Sequence, residues 1–66
     1  MRNSSLEFYL TRAAEARAEG AAATLDHVRE RCSRSEAAWT ALADRVVRTE
    51  AMRATHEKMK AEQPPQ

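Results

Sequence analysis

The chain has 66 residues, 42% apolar and 32% charged, with one Gly, two Pro and one Cys, which fits one small helix-biased domain and leaves no room for a second. Its formal charge of +1 sets up no whole-chain field to attract nucleic acid or a membrane. No apolar run reaches the ~18 residues needed to span a bilayer, and Met1-Arg2-Asn3-Ser4-Ser5 lacks the apolar stretch of a signal peptide, so a cytoplasmic location is expected.

Ser4-Ser5-Leu6-Glu7 has the form of a capping box, with the Ser4 hydroxyl able to accept from the Glu7 N–H. Behind it Leu6, Tyr9, Ala13, Ala16, Gly20 and Ala23 repeat a three-four spacing, the stripe of an amphipathic helix. The stripe narrows from bulky residues to Ala and Gly, so a second helix could approach closely near Gly20. A bend is expected between Ala21 and Thr24, because Thr24 followed by Leu25-Asp26 reads as an N-cap with an acid in the first turn.

Leu25, Val28, Cys32, Ser35, Trp39, Leu42, Val46 and Thr49 hold a strict heptad spacing, the a/d seam of a second and longer helix. Counting sevens from Leu6 reaches Gly20 and His27, out of phase with Leu25 and Val28, which favours a hairpin over one unbroken rod. Ser33-Arg34-Ser35-Glu36 is a second capping box and could start a third helix, but the seam passes through it unshifted. The expected architecture is all-α: a two-helix antiparallel hairpin over residues 1–61, with helices at 5–22 and 25–61, a turn at 21–24 and a disordered tail at 62–66 before and through Pro64-Pro65. With that turn, Leu6 and Tyr9 should face Trp39 and Leu42, Ala13 should face Ser35, Ala16 Cys32 and Gly20 Val28. The segment from Arg45 to Lys60 should then lack an intrachain neighbour.

Arg31, Arg34, Arg45 and Arg48 recur along one flank of the second helix and could track phosphates. The plainer reading is a solvated face, with Glu30 and Asp44 four residues before Arg34 and Arg48 and Glu19 within reach of Arg31. His27 and Cys32 are five apart and so on different helix faces, which leaves no zinc site within one chain. A lone Cys32 forms no intrachain disulfide and packs as a small hydrophobe. No catalytic residues, metal or cofactor are expected, because a two-helix chain offers no concave pocket around a nucleophile.

The runs Phe8-Tyr9-Leu10, Arg12-Ala13-Ala14-Glu15-Ala16-Arg17-Ala18-Glu19, Val28-Arg29-Glu30-Arg31-Cys32 and Ser35-Glu36-Ala37-Ala38-Trp39 resemble small helical-hairpin proteins of alphaproteobacteria whose function is unknown. The resemblance implies a short bacterial protein with no catalytic residues to transfer. A core this small usually needs oligomerisation, so the expected function is a protein–protein interaction or assembly module. It would dimerise into a four-helix arrangement through Leu6, Phe8, Tyr9, Leu10, Val28, Cys32, Trp39, Leu42 and Val46. A larger protein partner is a further possibility. The alternative function is a nucleic-acid-associated regulator acting through Arg31, Arg34, Arg45 and Arg48.

Overall fold

A computed structural model describes residues 4–62 as two helices, α1 (Ser4–Ala22) and α2 (Asp26–Glu62), packed side by side in opposite directions. The hairpin and its longer second arm agree with the expected architecture, and α2 runs unbroken through Ser33–Glu36. At 1.5 Å per residue, α1 is about 28 Å long and α2 about 55 Å. Ser4 is already helical rather than the cap expected there; of the tail expected at 62–66, Glu62 is instead the last residue of α2, and 63–66 lie outside the described residues.

The connection is Ala23-Thr24-Leu25 and uses no positive φ. Leu25, not Thr24, takes the N-cap position of α2, its carbonyl accepting from the N–H groups of Val28 at 3.2 Å and Arg29 at 3.1 Å. The Leu25 side chain is consequently exposed rather than in the seam. Asp26 supplies the expected acid in the first turn. The last turn of α1 carries no basic residue; instead Arg29 reaches back from α2 and its Nε donates to the Ala23 carbonyl at 2.9 Å, compensating the unsatisfied carbonyl end of the helix.

The stripe of α1 faces the partner helix as its spacing requires. Ala13 and Ala16 are buried, and Leu6, Tyr9, Gly20 and Ala23 are half-buried. On α2 the inward residues are Val28, Cys32, Ser35, Glu36, Trp39, Ala43 and Val46. The heptad seam is thus corrected at its far end, where Ala43 is 2% exposed while Leu42 is 37% exposed and Thr49 lies in solvent. An α-helix drifts by about 20° per heptad relative to a 3.5-residue repeat, so over several turns the contact line passes from position 42 to 43.

The register also differs from the expected one. Gly20 meets Cys32 rather than Val28, a Cβ built on Gly20 lying 3.0 Å from Cys32 Cβ. The three linker residues carry the chain outward before it reverses, so α2 begins about one turn beyond the end of α1. Because of this slide α1 reaches further along α2: Ser5 and Tyr9 share a hollow with Val46, Thr49 and Glu50. That hollow ends at Arg53, so the stretch without a partner helix starts beyond Arg53, not at Arg45, and every residue from Ala51 to Glu62 is exposed.

Candidate interaction surface

One broad side of the hairpin carries an aromatic cluster at its open end. The Phe8 and Trp39 rings meet edge-on at 5.6 Å and 89°, Tyr9 stacks on Trp39 at 6.0 Å and 30°, and Phe8 meets Tyr9 at 5.9 Å. Arg12, four residues after Phe8 and so on the same side of α1, sets its guanidinium 5.5 Å from the Trp39 ring centroid, a cation–π distance. Even so, Phe8 remains 54% exposed and Trp39 only half-buried. Leu42 and Val46 continue the same side in a shallow hollow shared with Arg45.

Towards the turn this side becomes polar. Arg12, Glu15, Glu19, Ser35 and Trp39 line a second shallow hollow, with Arg12 paired to Glu15 at 3.2 Å and Glu19 to Arg31 across the helices at 3.7 Å. Both pairs are well exposed and contribute little stability. Near the turn the acids of this side, Glu15 and Glu19, come from α1 and Arg31 from α2, whereas at the open end Glu50 of α2 shares the first hollow with Arg45.

The remaining large apolar residues point elsewhere. Leu10 follows Phe8 by two positions, about 200° around α1, and Val47 follows Leu42 by five, about 140° around α2; both lie half in solvent on the opposite side. Near the end of the paired region Met52 stands nine residues past Ala43, about two and a half turns. It and Met59 therefore line the outer back of α2, in a shallow depression with Ala51, Thr55 and His56. The line that would continue the hairpin seam is instead Glu50, Ala54, Glu57 and Ala61, largely polar. The apolar stripe of the overhang is thus not an extension of the hairpin core.

The expected interface residues divide on this geometry. Leu6, Phe8, Tyr9, Leu10, Trp39, Leu42 and Val46 retain accessible surface, but Cys32 is enclosed against Gly20 and Val28 is half-buried inside the hairpin, leaving Cys32 no surface for another molecule. Arg31, Arg34, Arg45 and Arg48 are all exposed. They spread over about 100° of α2, with Arg31 drawn towards Glu19 and Arg45 towards the Tyr9 hollow. Neither Glu30–Arg34 nor Asp44–Arg48 closes into an ion pair. Among the described residues no three His, Cys, Asp or Glu side chains are grouped to hold a metal ion, and no helix is long and apolar enough to cross a membrane.

Reading by residue type missed Ala43, Arg12 and Arg29. The run Trp39–Ala43–Val46 is itself a four-three spacing that could have nominated Ala43; no local signal marks Arg29 as a clamp on the linker carbonyl of Ala23. No protein-family model matches the chain, and no curated protein or solved structure matches it. The resemblance to the alphaproteobacterial hairpins rests on the residue pattern alone.

Proposed function

We propose that this chain is a small helical interaction or assembly module of the cytoplasm that acts as a homo-oligomer, in its simplest form a dimer building a four-helix arrangement around the aromatic end. One observation carries the reading. The residues buried within the hairpin are small, Ala13, Ala16, Cys32 and Ala43, while on one side Phe8 and Leu42 stand at least a third exposed beside the half-buried Tyr9 and Trp39. Two helices alone leave the largest apolar groups in water, and contiguous surfaces of that kind mark interaction sites. A second copy would cover them and supply the core that 66 residues lack. Light scattering after size exclusion, with reductant and at low and high salt, should return a discrete dimer under every condition. A stable monomer across micromolar to millimolar concentration overturns the proposal.

A second reading is supported by the exposure of Arg34 and Arg48 on the outer back of α2 and of Arg45 at the edge between that back and the Tyr9 hollow: a nucleic-acid-associated regulator binding phosphates through that flank. It requires duplex binding that weakens steeply with salt and falls when Arg45 and Arg48 are both changed to Gln. Binding indifferent to those changes removes it.

A further inference from the structure

Resting on the dimer reading, we propose that the second copy packs on the Phe8–Trp39–Leu42 side in parallel orientation, α1 of each copy lying on α2 of the other, with both turns at one end. Three observations carry this. First, the aromatic and apolar residues of this side are confined to the open end, whereas Glu15, Glu19 and Ser35 line it near the turn. A parallel pair superposes the two aromatic ends over the whole paired length of about 28 Å. Second, the turn half of this side is divided by charge, with Glu15 and Glu19 on α1 and Arg31 on α2, while at the open end α2 carries Glu50 together with Arg45 and Arg53. Arg12 is the exception on α1, already engaged with Glu15 and the Trp39 ring. A two-fold axis along the hairpin lays each α1 on the other copy's α2, so Glu19 comes opposite a second Arg31 and Phe8 comes onto Leu42. Third, the antiparallel alternative lays α2 on α2. Turned about Leu42, it sets Arg31 over Arg53 of the other copy, eleven residues to either side of the axis. Opposed like charges at a contact select against that orientation even when exposed pairs add little affinity.

The two orientations differ in where the turns lie. Thr24 is sixteen residues from Phe8, about 24 Å along the helix axis, so an antiparallel dimer centred on the aromatic cluster separates the two turns by about 50 Å, whereas a parallel dimer holds them within about 25 Å. The test uses the full chain carrying Thr24→Cys with a nitroxide label and Cys32→Ala, which keeps the Cβ that faces Gly20; light scattering gives the mass and pulsed dipolar spectroscopy the distance. Should Cys32→Ala unfold the chain, Cys32 is retained, since its enclosed thiol resists labelling. A second label at Met59→Cys, exposed at the other end, must also give a short distance if the copies are parallel. A dimer with both distances below about 25 Å supports the proposal. A dimer with turns near 50 Å apart overturns the orientation and leaves the dimer standing. A monomer overturns both.

Discussion

Gly20 and Cys32 mark the closest approach of the two helices, a Cβ on Gly20 falling 3.0 Å from the Cβ of Cys32. Both atoms would be fixed to helix backbones, so neither could swing aside. Replacing Gly20 by Ala gains about 1 kcal/mol of helix propensity but forces the axes apart, and overpacking of that kind costs about 1–3 kcal/mol. Gly20→Ala is expected to lower stability by about 1 kcal/mol net, read as a melting point some 4–8 °C lower by circular dichroism. Adding Cys32→Ala should give no relief, because the crowded atom is the Cβ itself.

Cys32 is 4% exposed and has no disulfide partner. Its thiol should react with a disulfide reagent in the native chain on the order of tenfold or more slowly than in denaturant, because access requires local opening. A native thiol as fast as the denatured one would place Cys32 outside the helix contact.

Trp39 holds Phe8, Tyr9 and Arg12 around one ring. Trp39→Ala should destabilise the chain by about 2–3 kcal/mol, below the ~3–5 kcal/mol typical of fully buried aromatics because the ring is only half-buried. On the dimer proposal it should also raise the concentration at which the mass falls to that of a monomer. Urea titration and light scattering read the two effects separately.

Arg29 ties the start of α2 to the end of α1 through the Ala23 carbonyl. Arg29→Met keeps the aliphatic stem and removes the donor, at an expected loss of about 0.5–1 kcal/mol. An unchanged melting temperature would show that water replaces the guanidinium without penalty.

Beyond Arg53, the last residue of the hollow that Ser5 and Tyr9 line, every described residue of α2 is exposed. Deleting residues 54–66 should reduce far-UV ellipticity while moving the melting temperature by no more than about 2 °C, since a short unsupported helix adds little cooperative stability. A fall of 10 °C or more would mean that the overhang, including Met59, is packed against something in solution.

Periodicity is a property of each helix by itself, so it was open to inspection in the sequence. The stripe from Leu6 to Ala23, the break near Ala22, the unbroken run through Ser33–Glu36 and the enclosure of Cys32 all follow from spacing and from the absence of Gly or Pro. What the tertiary structure decided was how the two stripes meet. Gly20 lies on Cys32 because the linker carries the chain past the end of α1 before it turns back. Ala43 displaces Leu42 because a helix of 3.6 residues per turn drifts off a seven-residue repeat. Met52 and Met59 fall on the outer back of α2, and Arg29 reaches back to the linker carbonyl of Ala23 just past the end of α1. The Gly20–Cys32 register depends on how closely two backbones approach and on where the linker reverses, which no local pattern encodes, whereas the drift to Ala43 was present in the Trp39–Ala43–Val46 spacing but not selected by residue type.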